Sequence, residues 1–232
     1  MQHAYGLDIP LTLEDACDPG RMALIVYDMQ VGVLRQIAAS AEITSRVLEV
    51  LESARAAGVR VFFTRHMSLP NEIAGASGLR TAITWQRVST AAEVAPALLR
   101  RSAAFELIPE LQPRSSEAVL DKISMSAFVG TPLDIILRDS DITAFAIAGV
   151  AMEVGIEPTV RHASDLGYLP VVIEDACGAG NTAAAERSLA ALRFAGNTLF
   201  TDTAALRATL RQAAAPNGRP AGAAAALSDR TK

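Results

Sequence analysis

Short apolar runs alternate with amphipathic helical patterns through most of this chain, and that alternation narrows its possible folds more than any other feature. Met22–Tyr27 (MALIVY) is apolar almost without a break, as a strand covered on both faces requires, and it stops at Asp28. Over 43–57, Val47, Val50, Leu51 and Ala54 fall on one helical face, and Gly58 ends that helix before a second strand at 59–64. A third strand is expected at 118–120, leading into Asp121 and Lys122. Pro132 sits in the first turn of a helix reaching Asp139, followed by a fourth strand at 142–150. Pro158 begins another helix, closed by Gly167, before a strand at 169–174; a helix at 183–194 and a strand at 198–201 repeat the unit. The order predicts an α/β fold with a doubly wound, mainly parallel sheet of about six strands, whose ligands bind beyond the carboxyl ends of the strands.

With 232 residues, half of them hydrophobic and 20% charged, the chain can bury the core of one α/β domain. The expected organisation is an N-terminal extension over 1–20, the α/β domain over 21–211, and a low-complexity tail over 212–232 expected to be disordered. Residues 65–117 are less regular and are expected to form a lid or an oligomer contact. A net charge of -4, with no basic stripe, argues against nucleic-acid binding. Asp8, Glu14, Asp15 and Asp18 occupy the region where a secretory leader would be basic and then apolar, and the most apolar stretch, 142–152, is too short for a membrane span. Cys17 and Cys177 make neither a disulfide framework nor a metal cluster, which suits the cytoplasm. His3, His66 and His162 are scattered, so no metal is expected.

Only two of the 21 basic residues are lysine, and one of these is the C-terminal Lys232, so Lys122 is the single lysine of the part expected to fold. Arginine does not substitute where a compact ammonium with an adjustable pKa is needed. Lys122 and Asp28 both fall at carboxyl ends of predicted strands, as do the turn at 149–155 and Asp175. A carboxylate beside an ammonium at the mouth of a sheet can exchange a proton with substrate while the ammonium holds negative charge. The same two residues could equally close two strand ends as a structural ion pair, and the pattern alone leaves both open.

Four ordered segments carry a resemblance: ALIVYDMQ (23–30), KISMSAF (122–128), IAGVAMEVGIEPTVRHASDLGY (147–168) and VVIEDAC (171–177). They are similar to the isochorismatase-like hydrolases, also called the cysteine hydrolase superfamily, over about residues 20 to 205. The resemblance implies a Rossmann-like, three-layer α/β/α fold and a catalytic Asp, Lys and Cys. It assigns the Asp to Asp28, in an Asp-x-Gln context with Gln30, and the Lys to Lys122, ahead of Ser126, Ala127 and Phe128. The nucleophile of the amidase branch closes a Gly-Val-Ala-x-x-x-Cys motif, which aligns with Gly149 through Gly155, so Gly155 stands where the cysteine would. The resemblance also implies a cis peptide before Ala151 and an oxyanion cradle formed by the N–H groups of Ala151 and Gly155.

Glycine has no side chain with which to attack a carbonyl, so thioester chemistry cannot operate from position 155. Cys177 matches no nucleophile of the family, and Ser124 and Ser126 lack a base other than Asp28. The superfamily includes isochorismatases, which resemble this chain in keeping the Asp and Lys with Gly at the nucleophile position. They hydrolyse a vinyl ether by protonating the enol carbon, after which water adds to the oxocarbenium ion. By this analogy Asp28 donates the proton and Lys122 holds substrate charge or orients Asp28. Gln30, Trp85, Arg87, Phe128, Val150, Ala151 and Glu153 are the expected substrate-binding residues, with Arg80 as a further carboxylate clamp. Met152 and Glu153 replace the aromatic and the His of true isochorismatases, so isochorismate itself is not assigned. The expected function is Cys-independent hydrolysis of a small anionic molecule, without cofactor, by a homodimer or homotetramer. The alternatives are a non-catalytic ligand-binding or assembly relative, and an amidase acting on C–N bonds that has been inactivated by exchange of Cys for Gly.

Overall fold

The computed structural model describes residues 1–215, so the predicted tail lies outside the described residues from position 216 onward. The chain opens with an antiparallel hairpin, β1 (Gln2–Ala4) and β2 (Leu7–Ile9), then a single helical turn, α1 (Leu13–Ala16), closed by a Thr12–Asp15 capping box. There follow β3 (Met22–Tyr27), α2 (Val31–Leu34), α3 (Ser40–Ala56), β4 (Arg60–His66), α4 (Gly75–Gln86), β5 (Ala118–Lys122), α5 (Leu133–Asp139) and β6 (Ala144–Val150). A π-helical turn, Met152–Ile156, leads into α6 (Glu157–Asp165), and β7 (Leu169–Gly178), α7 (Thr182–Ala195), β8 (Leu199–Thr201) and α8 (Thr203–Ala213) complete the fold. The last helix runs past the boundary expected at 211.

All six strands from β3 to β8 pair in parallel, in the order β5-β4-β3-β6-β7-β8. Alternation along β3 builds the layers on either side. Met22, Leu24 and Val26 point into one core with Val47, Val50 and Leu51 of α3 and Leu206 and Leu210 of α8. Ala23, Ile25 and Tyr27 point into the other, with Leu133 and Leu137 of α5, Val160 of α6 and Leu192 of α7. Each aliphatic side chain fully buried in such a core contributes roughly 1.5–3 kcal/mol. This is the predicted three-layer α/β/α architecture, with its sheet of six strands.

The chain winds outward from β3 through β4 to β5, then returns to place β6 on the other side of β3 and winds out again through β7 to β8. The reversal makes β3 and β6 the topological switch point, where a doubly wound sheet opens a crevice at its carboxyl edge. Tyr27 is paired in register with Gly149 at that edge. Gly149 has φ +129, and a Cβ placed on it would lie 2.1 Å from the Tyr27 carbonyl oxygen, so only glycine permits the approach of the two strands.

The irregular region predicted over 65–117 contains α4, which has no buried residue, and a segment near 104–108 that docks on the turn after β3. There the N–H groups of Val31 and Gly32 donate to the carbonyls of Glu106 and Ala104, and the Ile108 N–H donates to Met29. Among the described residues no helix is long and apolar enough to cross a membrane.

Candidate active site

The last residue of β5 reaches across β4 to the residue that follows β3. Lys122 Nζ donates to Asp28 Oδ2 at 2.7 Å and to the Ser124 carbonyl at 3.2 Å, and the two side chains are 0% and 7% exposed. The other Asp28 oxygen, Oδ1, accepts from Thr64 Oγ1 at 2.6 Å, while Thr64 Oγ1 accepts from the Asp28 N–H at 3.1 Å. Asp28 has φ +46, a left-handed conformation that Asp adopts more readily than most residues. That bend ends β3 and turns the carboxylate toward the lysine.

Three further residues, Thr64, His66 and Tyr27, complete the cluster, and none is among the site residues expected from the sequence. Thr64 closes the apolar strand expected at 59–64, and a hydroxyl two positions short of the carboxyl end of β4 is the usable signal. His66 had been set aside as one of three scattered histidines. It is paired with Lys122 in the sheet register, and burial together with the neighbouring ammonium holds its imidazole below the ordinary 6.5. Tyr27 read as core; it is 1% exposed, with the Lys122 ammonium 4.3 Å above its ring centroid and its hydroxyl donating to the Met125 carbonyl. Burial, and secondarily the Asp28 charge, push the Tyr27 phenol well above 10, so it remains a neutral donor. Burial likewise draws the Lys122 ammonium below its ordinary 10.5, against the upward pull of Asp28.

The residues after Lys122 are pinned by side chains. Ser124 Oγ donates to the carbonyls of Ser126 and Val129, Ser126 Oγ meets His162 Nδ1 at 3.0 Å, and the Ala127 N–H donates to Thr159 Oγ1 at 3.0 Å. Both serines therefore brace the loop that holds Lys122.

The other predicted site residues fall in four different settings. Gln30 is fully buried, with Nε2 donating to the carbonyls of His66 and Phe105 and Oε1 accepting from the His66 N–H. Its amide ties the end of β4 to the docked 104–108 segment, so Gln30 braces the site from behind and has no amide N–H left for a ligand. Phe128 is 7% exposed and packs on Phe145, His162 and Tyr168, on the core side. Trp85 is 56% exposed, and Arg87 caps the C-terminus of α4 in the left-handed conformation at φ +55; no hydrogen bond, ion pair or ring contact joins either to the Asp28–Lys122 pair. Glu153 accepts from the Asn181 N–H through Oε1, while its buried Oε2 has no hydrogen-bond partner.

Val150 and Ala151 are buried at the switch point, and the bond between them is cis. The cradle differs from the expectation. The N–H groups of Val154, Gly155 and Ile156 all converge on the Ala151 carbonyl, at 3.1–3.2 Å, because the turn there is π-helical. The Gly155 N–H is thus already used and cannot serve an oxyanion without rearrangement. Gly155 is buried, and its carbonyl accepts from Thr159 Oγ1 at 2.7 Å.

Neither cysteine lies ready for nucleophilic attack. Burial pushes the Cys17 thiol up to about 12, and burial with the nearby Asp175 and Glu174 charges pushes the Cys177 thiol up further still. Cys177 Sγ points to the Ile147 carbonyl within the sheet. Two surface clefts of about 300 and 330 Å³ lie elsewhere, around Arg65 and Pro109 and around Arg60 and Ser140. The ion pair itself lies apart from both, its side chains 0% and 7% exposed.

Comparison with known proteins agrees with this architecture. The isochorismatase domain family matches residues 22–204. The chain is 33% identical over 175 residues to the ureidoacrylate amidohydrolase RutB of Pantoea ananatis, covering 68% of this chain and 69% of that protein. It is 30% identical to RutB of Serratia proteamaculans, covering 68% and 70%. Among solved structures, a cysteine hydrolase from Pseudomonas syringae superposes with a TM-score of 0.73 at 26% identity, covering 85% of this chain and 96% of that one. N-carbamoylsarcosine amidase from Thermoplasma acidophilum shares the fold, with a TM-score of 0.63 at 21% identity over 79% of this chain and 96% of that one. By its sequence, its sheet order and these relatives, the chain belongs to the isochorismatase family of hydrolases.

Proposed function

We propose that this chain hydrolyses a small anionic substrate without a thiol nucleophile, using Asp28 to transfer the proton and Lys122 to hold negative charge. The observation that carries the reading is the Asp28–Lys122 pair, buried at the carboxyl edge of the sheet between the ends of β3 and β5, with no reactive thiol beside it. Among the described residues, Asp28 shares the Lys122 ammonium with no other carboxylate in the resting site. A substrate carboxylate placed against Lys122 competes with Asp28 for that ammonium. Neutral analogues, which cannot engage Lys122, should therefore be turned over poorly.

The favoured reaction is hydrolysis of a vinyl ether. Asp28 protonates the alkene carbon, water adds to the resulting oxocarbenium ion, and the hemiketal collapses to a ketone and an alcohol. Gly155 then stands at the position of the family's nucleophile because the chemistry does not use one. Glu153, with one buried oxygen unpartnered, is the residue in the turn after β6 best able to accept a hydrogen bond from substrate.

A second reading takes its support from the identity with ureidoacrylate amidohydrolases. Ureidoacrylate is also a carboxylate, and its double bond is conjugated to nitrogen as that of a vinyl ether is to oxygen. Protonation at carbon and addition of water would break the bond between the alkene carbon and nitrogen and release urea. Attack at the ureido carbonyl would release carbamate instead. Incubating the protein separately with isochorismate and ureidoacrylate, with product masses as the readout, distinguishes the routes. Acid chemistry on carbon predicts a ketone or urea as product, and Asp28→Asn should lower that turnover at least a hundredfold, within the usual range for loss of a general acid. Turnover that survives Asp28→Asn would remove Asp28 from the mechanism.

A further inference from the structure

Gly155 is not an empty position. A Cβ built on it would lie 2.1 Å from Tyr27 Oη, 2.4 Å from Cζ and 2.5 Å from Cε1. The phenol therefore stands where a side chain at 155 would begin. Nor is Tyr27 free to swing aside. Its hydroxyl is tied to the Met125 carbonyl in the braced loop after Lys122, its ring lies under the Lys122 ammonium, and it is 1% exposed. The backbone at 155 is fixed as well, by the N–H donated to Ala151 and the carbonyl bound to Thr159. Two anchored groups of opposite size thus share one volume: the largest side chain of β3 and a residue with none.

We propose that Tyr27 and Gly155 form a coupled pair in which the phenol takes the space of a nucleophile at 155. The inference rests on the functional reading above in placing the chemistry at Asp28 and Lys122. Its steric content stands independently of any activity. Exchange of Gly155 for cysteine alone does not restore thiol chemistry, because the sulfur and the phenol compete for the same position. Removal of the phenol opens that position next to the volume of a ring whose centroid lies 4.3 Å from the Lys122 ammonium, so a thiol there should ionise below its ordinary value of about 8.5.

The test is a substitution cycle on the full chain, read by thermal unfolding and by alkylation with iodoacetamide followed by mass spectrometry. Gly155→Ala overpacks the site and should lower Tm by roughly 3–10 °C, the shift that a 1–3 kcal/mol loss produces in a domain of this size. In a Tyr27→Val background the same substitution should cost nothing or raise Tm, because the methyl enters the cavity left by the ring. Where Gly155→Ala fails to fold, recovery of a folded protein by adding Tyr27→Val carries the same meaning, and absence of recovery overturns the pairing. The thiol of Gly155→Cys should be alkylated slowly beside Tyr27. In Tyr27→Val/Gly155→Cys it should be alkylated at least tenfold faster, with a pH midpoint below 8.5 that rises when Lys122→Met is added. Additive Tm shifts, or equal alkylation rates in the two backgrounds, overturn the proposal. Turnover of isochorismate or ureidoacrylate plays no part in either readout, so a silent wild type would sink the acid/base reading while the coupling is judged separately.

Discussion

At the scale of single residues, the site is a small electrostatic system in which no member is independent. Lys122 is buried with one carboxylate partner, so its removal leaves Asp28 as an unpaired buried charge. Lys122→Met should therefore destabilise the protein by about 3–5 kcal/mol, and adding Asp28→Asn should recover a large part of that loss. Urea unfolding of the two single variants and the double variant measures the coupling; equal losses in Lys122→Met with and without Asp28→Asn would show that the charges do not interact. His66 offers a pH test of the same cluster. Its folded-state pKa lies below 6.5, so the unfolded chain binds the proton more tightly. The stability that neutral His66 contributes is complete above 6.5 and is lost as pH falls through 6.5 toward the folded value. His66→Gln should flatten the wild-type loss of stability below pH 6.5, and parallel pH curves for the two proteins would contradict the assignment. Lys122 and Asp28 were legible in the sequence because a lone lysine and a strand-ending aspartate stand out from their surroundings. Thr64, His66 and Tyr27 were not, because their roles arise from parallel register, which brings residues dozens of positions apart side by side.

At the scale of elements, the six strands of the sheet and the helices α3, α5, α6 and α7 are readable because each run has the length and terminators of its kind, whereas the β1–β2 hairpin, α2, α4 and α8 carry no such pattern. The predicted ends differ from the observed ones by a few residues, chiefly in β7, which continues through charged Glu174 and Asp175 to Gly178 with a register shift against β6. A period-based reading stops at the first charge, whereas the strand continues because its neighbours supply hydrogen bonds. The Gly155 half of the oxyanion cradle implied by the resemblance is engaged for a related reason: a π-helical turn directs the N–H groups of Val154, Gly155 and Ile156 to one carbonyl, and no residue pattern announces it. The resemblance places Gln30 with substrate because it accompanies the aspartate in the motif, yet its amide is consumed in joining β4 to the 104–108 segment. The contact of β3 with β6 gives this scale its own prediction. Gly149→Ala sets a methyl against the Tyr27 backbone at an unfavourable φ and should cost more than roughly 3 kcal/mol or prevent folding. Soluble expression and urea unfolding report it, and a variant as stable as wild type would mean that the two strands are not held this close.

At the scale of the whole molecule, the doubly wound sheet accounts for the position of the site before any side chain is considered. Winding outward from β3 and back to β6 puts the switch point at their carboxyl ends, and the same order brings the end of β5 within reach of Asp28. Fold and site location were therefore legible together from the alternation of elements. Substrate selection was not, since Trp85 and Arg87 lie on a solvent-exposed helix whose relation to the pair no local pattern encodes. In the proposed mechanism, proton transfer from Asp28, and no thiol, drives hydrolysis. The most direct measurement is turnover of isochorismate in deuterium oxide by wild type, by iodoacetamide-treated wild type and by Asp28→Asn. The account predicts a ketone product carrying one solvent deuterium on the former alkene carbon, at a rate unchanged by iodoacetamide and lost in Asp28→Asn. A product without that deuterium, or an activity abolished by iodoacetamide, would contradict it.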